Sequence, residues 1–289
     1  MLTIFTCPKA FIDPHITIIQ HNAIRSWTLL TPKPEIILIG DDEGVSEVAR
    51  QYNLRHIPAI ERNEHGTPML KSIFEQAQEQ SSNELMCYIN ADIILFDEFM
   101  DAVTKSAGKF DNNFLMVGRR TNLDIRNRID FCEGWAKDLQ NRSKKEGILF
   151  THDGLDYFVF KRNSYNDIPP LYFARAMWDN WLVYKQASEG KEIIDATESV
   201  CIIHQNHNYS HQRWSDPMKN PEVEYNVKLV GGYLYAFTTL NATYKLIKGR
   251  FEKQNIPVLY MKLVMLANKF PGIKPFIEIV RKVRVKFSY

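Results

Sequence analysis

The chain has 289 residues, of which 45% are hydrophobic and 24% are charged, and its formal net charge is +2 at pH 7. This composition is typical of a soluble globular protein with one large or two small domains, and no apolar run is long enough to predict a membrane span. The first residues, MLTIFTCPKAF, lack a basic region and predict a strand, not a signal peptide. Four widely spaced cysteines without a CxxC pair fit a reducing, cytoplasmic compartment.

The first half of the chain alternates between predicted strands and amphipathic helices. In chain order it predicts a strand at 2–7, a helix at 14–30, a strand at 35–42, a helix at 44–53, a short strand or loop at 54–60, a helix at 68–80, a strand at 84–95, a helix at 96–109 and a strand at 114–120. Such alternation indicates βαβ units and a mostly parallel sheet.

The second half is more varied. A polar stretch at 121–153 predicts an irregular excursion or a short helix pair, and it is followed by a strand at 154–165, a helix at 174–190 and strands at 191–197 and 199–211. After Pro217 the pattern is helical to the end. We therefore expect a catalytic domain at 1–215 and a helical extension at 216–289.

Two predicted strands end in acidic residues. Asp41 and Asp42 follow EIILIG, and Asn90 and Asp92 follow LMCYI. Buried carboxylates need a partner, and ligands of parallel sheets lie beyond the carboxyl ends of the strands. We therefore expect these side chains to face a ligand cleft, where Asp92 can bind a hard divalent cation and Asn90 a ribose or a water. The alternative for Asp92 is a cap on the next helix.

Other common site motifs are missing from the sequence. It contains no GxGxxG, no P-loop, no GxSxG and no HExxH, so dinucleotide, P-loop, serine-hydrolase and zincin chemistry have no support.

Four stretches of the sequence, in their order along the chain, resemble motifs of the GT-A nucleotide-sugar glycosyltransferases. The resemblance covers about residues 1 to 215. The stretch at 90–92 (NAD) resembles their DxD motif, with Asn90 in place of its first acid, and 39–44 (IGDDEG) resembles the loop that contacts base and ribose. The stretch at 177–181 (MWDNW) resembles the motif of the catalytic base in inverting members, and IIHQNH resembles the closing strand whose histidine completes the metal shell. The fold implied is an α/β, Rossmann-like, mostly parallel mixed sheet flanked by helices.

The resemblance also implies roles for individual residues. Asp179 is the expected catalytic base, flanked by two indoles that could stack on a sugar, and a first-turn helix acid beside two core tryptophans is the alternative. Asp92 and His204 are expected to bind Mn²⁺ or Mg²⁺. The expected contacts of the nucleotide sugar are Thr6, Asp41, Asp42, Lys71, Asn90, Ala91, Asp92, Gly154 and Asp156, and those of the acceptor or a phosphate are Arg119, Arg120, Trp178 and Trp181. Solvated surface arginines are an alternative for Arg119 and Arg120, and an ordinary turn is one for Gly154. For His207 and His211 a core or surface histidine is the favoured interpretation.

Charge is unevenly distributed along the chain. Residues 245–289 contain eleven Lys/Arg and two Asp/Glu, whereas residues 1–244 contain 25 basic and 32 acidic residues. The end of the chain predicts a basic amphipathic helix with Phe276, Ile279, Val280, Val283 and Phe287 on one stripe. It favours peripheral contact with anionic lipid on the inner membrane face, and packing on the domain or on a second subunit is the alternative. Nucleic acid is not an expected partner.

The predicted function is transfer of a sugar, with inversion, from a nucleotide diphosphate (a UDP-sugar) to a hydroxyl of a glycan or lipid-linked acceptor. The alternatives are a sugar-nucleotide nucleotidyltransferase and a glycan-binding descendant without turnover. The first of these needs a Gly-rich basic loop after the first strand, and TCPKAFIDP has one lysine and no glycine.

Overall fold

The computed structural model describes residues 1–111, 113–207 and 220–286; His211 and Phe287 lie outside them. The helices are α1 (Pro14–Thr28), α2 (Val45–Tyr52), α3 (Leu70–Gln80), α4 (Glu98–Phe110), α5 (Trp135–Glu146), α6 (Trp178–Ser188), α7 (Pro221–Val230), α8 (Asn255–Lys269) and α9 (Lys274–Lys286). The strands are β1 (Leu2–Thr6), β2 (Glu35–Ile39), β3 (Arg55–Ile57), β4 (Leu85–Ile89), β5 (Ile93–Ile94), β6 (Phe114–Val117), β7 (Thr121–Leu123), β8 (Ile148–Leu149), β9 (Tyr157–Lys161), β10 (Glu192–Asp195), β11 (Ile203–Gln205), β12 (Tyr244–Ile247) and β13 (Arg250–Lys253).

Nine strands form the main sheet in the order β13-β12-β10-β6-β9-β4-β1-β2-β3. Strands β4, β1, β2 and β3 are mutually parallel, so their carboxyl ends lie along one edge. Strand β9 is antiparallel to both β4 and β6. The residue before β9 therefore lies at the edge where β4 ends. The predicted α/β class with a mostly parallel mixed sheet flanked by helices is confirmed.

Side-chain alternation along the strands divides the core into two layers. Ile4 and Cys87 point to the face covered by α1, α2 and α4. Phe5 and Tyr88 point to the opposite face, which α3, α6, α8 and α9 cover. Strands that are buried on both faces appear in the sequence as continuous apolar runs, and this explains why their positions were predictable.

A second, four-stranded sheet has the order β5-β11-β7-β8. It accounts for part of the polar stretch at 121–153, where the structure has one helix, α5, between β7 and β8. In the register of β11 with β5, His204 lies opposite Ile93, the residue after Asp92. This small sheet therefore brings the end of β4 and the predicted histidine strand together.

The C-terminal part is not helical throughout, and that detail of the prediction is wrong. Strands β12 and β13 form a hairpin that extends the main sheet from β10. The hairpin turn is Lys248-Gly249, and both residues have positive φ, as type I′ turns require. Helices α8 and α9 add Val264 and Ile277 to the core of the main sheet. Within the described ranges, no helix is both long and apolar enough to cross a bilayer.

Candidate active site

The candidate site is a cleft of about 440 Å³ at the carboxyl edge of the main sheet. Its walls come from residues that directly follow β1, β2 and β4, and from the antiparallel β9. The lining residues used below are Cys7, Lys9, Asp42, Arg62, Thr67, Asn90, Ala91, Asp92, Arg120, Asp156, Arg175, His204 and His207. As predicted, the acid-bearing ends of β2 and β4 both reach this cleft.

Asp92, His204 and His207 form a cluster on the cleft wall. Their potential ligand atoms all lie within 4.8 Å of one another. Nε2 of His207 lies 3.1 Å from Oδ2 of Asp92, and Nε2 of His204 lies 3.5 Å from the same oxygen. His207, for which a core or surface histidine was the favoured interpretation, has a buried side chain that lies in this cluster. Asp92 does not cap the next helix, because its carboxylate faces these two imidazoles.

Hydrogen bonds of Gln205 hold the backbone of this cluster in place. The main-chain oxygen of Asp92 accepts hydrogen bonds from the main-chain and side-chain amides of Gln205 at 3.3 and 3.0 Å. The Gln205 side chain also donates to the main-chain oxygen of Ile19 in α1. Since Gln205 lies between the two histidines in sequence, it ties their loop to β5 and to α1.

Two buried atoms of the cluster have no hydrogen-bond partner among the described residues. They are Oδ1 of Asp92 and Nδ1 of His204. His204 is only 4% exposed. Burial alone would raise the pKa of Asp92, but the two histidines hold it well below its ordinary value, so the carboxyl is ionised. An ionised carboxylate with a free buried oxygen beside two imidazoles is a donor set that fits a divalent cation.

Asn90 bridges two neighbours at the floor of the cleft. Its Oδ1 accepts a hydrogen bond from the Tyr88 hydroxyl at 2.8 Å, and its Nδ2 donates to Oδ1 of Asp156 at 2.6 Å. An Asp at position 90 could not donate this bond when ionised. The amide is therefore the residue type that fits here, although the DxD motif has a carboxylate at this position.

Asp156, the residue before β9, is 2% exposed and accepts two more bonds. Nη1 of Arg120 lies 3.0 and 3.1 Å from its two carboxylate oxygens. The guanidinium of Arg120 also packs over the ring of Phe150 at 4.3 Å. Arg120 and Asp156 thus form a buried ion pair on the cleft wall.

Arg62, which the sequence analysis missed, organises the opposite wall. Its Nη2 lies 2.8 Å from Oδ1 of Asp41 and 2.7 Å from Oδ2 of Asp42. Asp42 and Arg62 line the cleft, whereas the side chain of Asp41 is 64% exposed at its rim.

The wall also contains two further cations that the sequence analysis did not single out. Lys9 follows β1; burial lowers its pKa, and the nearby carboxylates of Asp92 and Asp13 oppose that change. Arg175 donates to Glu222 at 2.6 Å and to the hydroxyl of Thr67 at 3.1 Å. Lys9, Arg62 and Arg175 thus place three cationic groups on the cleft, of which Arg62 and Arg175 are paired with carboxylates. Such groups can bind phosphate oxygens.

Asp179 lies in the first turn of α6, and its Oδ1 accepts the main-chain N–H of Asn180 at 2.9 Å. Burial raises the pKa of Asp179 to about 7; the nearby carboxylates of Asp156 and Asp153 add to this, and the Asn180 bond opposes it. Just before α6, Ala174 and Met177 have positive φ, an uncommon conformation for residues with a side chain. Ala174 lines the cleft and the turn between it and α6 is strained, whereas Asp179 is not among the lining residues.

The remaining predicted site residues lie elsewhere. Trp178 and Trp181 are 6% and 8% exposed and belong to the core, where Trp178 packs edge-on against Tyr88. Lys71 is an exposed residue of α3 that pairs with Glu75. A Cβ at Gly154 would meet the ring of Phe150 at 2.5 Å, so the glycine there accommodates an aromatic neighbour.

Two other residues are near the cleft without lining it. Thr6, at the end of β1, is buried and its hydroxyl has no partner among the described residues. Arg119 donates to the main-chain oxygen of Phe150 and lines a different cavity. Of the expected binding residues, the structure brings together Asp42, Asn90, Ala91, Asp92, Arg120, Asp156 and His204.

Comparisons with known proteins define the fold. No protein-family model and no curated protein matches the chain. Among solved structures, it is similar to GalNAc-T7 bound to UDP, GalNAc and Mn²⁺, with a TM-score of 0.51 and 14% identity over 80% of this chain and 48% of that one. It is also similar to residues 1–349 of TarS from S. aureus in complex with UDP-GlcNAc, with a TM-score of 0.50 and 11% identity over 83% of this chain and 74% of that one. The chain spans about half the length of the GalNAc-T7 chain. The fold is therefore the GT-A fold of nucleotide-sugar glycosyltransferases.

Proposed function

We propose that the chain is a glycosyltransferase that moves a sugar from a nucleotide diphosphate donor to an acceptor hydroxyl with the help of a divalent cation. The observation that supports this most directly is the Asp92, His204 and His207 cluster on the cleft of a GT-A sheet. A cleft at the carboxyl edge of such a sheet is the expected place for a nucleotide ligand.

Asp92, His204 and His207 are the residues that would hold the cation. When bound, a divalent cation neutralises the charge that develops on a diphosphate leaving group. One carboxylate and two imidazoles favour a transition metal over Mg²⁺, which prefers oxygen ligands. Because GalNAc-T7 was solved with Mn²⁺, we propose Mn²⁺ as the cofactor and expect Mg²⁺ to support less activity.

Cationic side chains on the cleft wall support a donor with a diphosphate. Lys9 and Arg62 line the cleft on the side of β1 and β2, and Asp42 is held beside Arg62 by their ion pair. Asp42 can accept hydrogen bonds from a base or a ribose while the cations bind phosphate oxygens. Because both similar proteins bind uridine nucleotides, a UDP-sugar is the proposed donor.

Asp179 is the proposed base for the acceptor, a hydroxyl of a glycan or a lipid-linked sugar. With its pKa raised to about 7, this carboxyl can take up a proton near neutral pH, which an ordinary Asp does poorly. Asp179 would take the proton of the acceptor hydroxyl, whose oxygen attacks the anomeric carbon from the face opposite the leaving diphosphate. The anomeric configuration is therefore inverted. Stacking by Trp178 and Trp181 is no part of the proposal, because both rings are buried.

The experiment incubates the protein with a panel of UDP-sugars and Mn²⁺ and measures release of UDP, both without an acceptor and with a panel of glycans. We expect slow Mn²⁺-dependent hydrolysis of one donor, and its loss in Asp92→Asn. The control is Asp124→Asn, which neutralises an exposed carboxylate paired with Arg126. Release of pyrophosphate from a nucleoside triphosphate would show a nucleotidyltransferase instead. Donor binding without UDP release under any condition would show a binding module.

A further inference from the structure

Exposed apolar side chains are concentrated in helices α8 and α9. Of the fourteen large hydrophobic residues that the described part of the chain exposes, seven lie between positions 256 and 283. They are Ile256, Leu259, Leu266, Phe270, Phe276, Ile279 and Val283. Scattered apolar residues are normal on a protein surface, but such a concentration marks an interaction surface.

Helix α9 shows which of its faces is unpartnered. Ile277 is fully buried in the core, and Arg284 packs over the ring of Tyr260 at 4.1 Å. Phe276 and Ile279 are 63% and 61% exposed and, with Val283, lie on the other side of the helix. Of the apolar stripe that the sequence predicts here, Phe276, Ile279 and Val283 face outward, whereas Val280 packs against the core.

The same two helices are strongly basic. Residues 255–286 contain seven Lys/Arg and one Glu, and that Glu, Glu278, pairs with Arg281. Lys262, Lys269 and Lys282 are exposed, and none has an ion pair with another described residue. Positive charge beside outward apolar side chains is the composition of a helix that lies on an anionic membrane surface.

A cavity of about 470 Å³ lies between α8 and the start of β10. Its apolar wall includes Met261, Met265 and Leu266, and its rim includes Lys253, Lys262 and Lys269. One carboxylate, Glu192, also lines it and accepts a hydrogen bond from the Thr243 hydroxyl. A cavity with an apolar wall and a cationic rim matches a ligand that is amphipathic and anionic, such as the phosphate and upper acyl chain of a phospholipid.

We propose that the α8–α9 surface, defined by the seven exposed apolar residues above with Lys262, Lys269 and Lys282, docks onto an anionic phospholipid bilayer. The cavity beside α8 takes up a lipid phosphate. A second copy of the chain is a poor occupant, because two surfaces with this excess of positive charge repel each other. The proposal is independent of the proposed enzymatic function, since it involves no residue of the cleft.

The test is co-sedimentation of the full chain with vesicles of phosphatidylcholine alone, and of phosphatidylcholine with one third phosphatidylglycerol. We expect binding only to the anionic vesicles. Phe276→Ser with Ile279→Ser should weaken it about tenfold or more, and Lys262→Glu with Lys269→Glu at least about 20-fold. Matched controls are Ile148→Ser, at a side chain that is 72% exposed, and Lys33→Glu with Lys137→Glu; they should bind as the wild type does.

Other outcomes overturn the proposal. Equal binding to both vesicle types, or full binding by either pair of variants, would show that this surface is not an anionic-lipid site. A dimer in light scattering that Phe276→Ser with Ile279→Ser dissociates, together with no vesicle binding, would assign the surface to a second copy. For the cavity, Lys262→Gln with Lys269→Gln should cost more binding than Lys282→Gln with Lys286→Gln. Equal losses would remove the cavity from the site.

Discussion

The cleft and the α8–α9 surface depart from the usual distribution of residues in opposite ways. In the cleft, charged groups are withdrawn from water and compensate one another: Asp156 with Arg120, and Asp92 with two histidines. On α8–α9, apolar groups face water and several lysines have no acidic partner among the described residues. Buried polar groups and exposed apolar clusters are the informative exceptions in a folded protein. The first kind points to chemistry and the second to a surface that docks.

If the cleft is arranged for chemistry, its variants should lose function without losing the fold, and the largest effect is expected at Asp179. Asp179→Asn keeps the shape of the side chain and its hydrogen bond to Asn180, but it removes the base. We expect kcat to fall by about 10²–10⁴-fold, with little change in the KM of the donor. Steady-state kinetics with a glycan acceptor measures both parameters. Wild-type turnover, or a product that retains the donor configuration, would exclude Asp179 as the base of an inverting reaction.

The charge balance of the buried Asp156 and Arg120 pair can be disturbed by a substitution at Asn90. Asn90→Asp puts a second carboxylate 2.6 Å from Oδ1 of Asp156, with Arg120 as their shared cation. We expect a loss of about 3 kcal/mol in the free energy of unfolding at pH 8.

At pH 5 this loss should be smaller, because a protonated carboxyl at position 90 can donate to Asp156 again. Urea unfolding at the two pH values measures the difference, and Asn141→Asp, at an exposed site on α5, is the control. Equal stability of the Asn90→Asp variant and the wild type at pH 8 would show that the Asn90 bridge does not explain the residue type.

The raised pKa of Asp179, the proposed base, should also lower the stability of the fold at high pH. The pKa of folded Asp179 is raised to about 7 from its ordinary 3.8, so between these values the folded state holds more protons than the unfolded state. The stability contributed by this group therefore falls as pH rises through that window. At pH 8, Asp179→Asn should be more stable than the wild type by about 1 to 3 kcal/mol, and the two should converge near pH 4. Unfolding curves at pH 4 and pH 8 check this, and a less stable variant at pH 8 would contradict it.

A smaller effect is expected at the wall near β2. Arg62→Met leaves Asp41 and Asp42 without their cation and removes a positive charge from the rim. We expect UDP to bind about tenfold more weakly in calorimetry. The control is Arg50→Met, at an exposed arginine that pairs with Glu47 on α2. Unchanged affinity in Arg62→Met would remove this wall from the donor site.

Much of the fold could be predicted from the sequence, because β1, β2 and β4 are buried on both faces and therefore appear as continuous apolar runs. The hairpin β12–β13 was missed because its strands are half exposed and its residues alternate less clearly. The Lys248-Gly249 turn was the signal that could have identified it.

The site was most readily predicted where its residues follow a strand. Asp42 and Asp92 were identified because a carboxylate directly after a buried apolar strand needs a polar or cationic partner. The roles of Asn90 and Arg62 depend on partners that are distant in sequence, Asp156 for the first and Asp42 for the second, and no local pattern shows such pairing. His207 was not expected beside Asp92 because it lies three positions after His204, a spacing that does not place two side chains on the same face of a strand. The loop after β11 brings it back to Asp92.

We propose above that the Asp92, His204 and His207 cluster binds a cation, and that this cation holds a nucleotide diphosphate. Calorimetry of UDP binding to the wild type and to Asp92→Asn tests this, with Mn²⁺, with Mg²⁺ and with a chelator. We expect the wild type to bind UDP tightly with Mn²⁺ and more weakly with Mg²⁺. The affinity for UDP should fall at least about tenfold with chelator or in Asp92→Asn. Equal affinity for UDP in all of these conditions would contradict it.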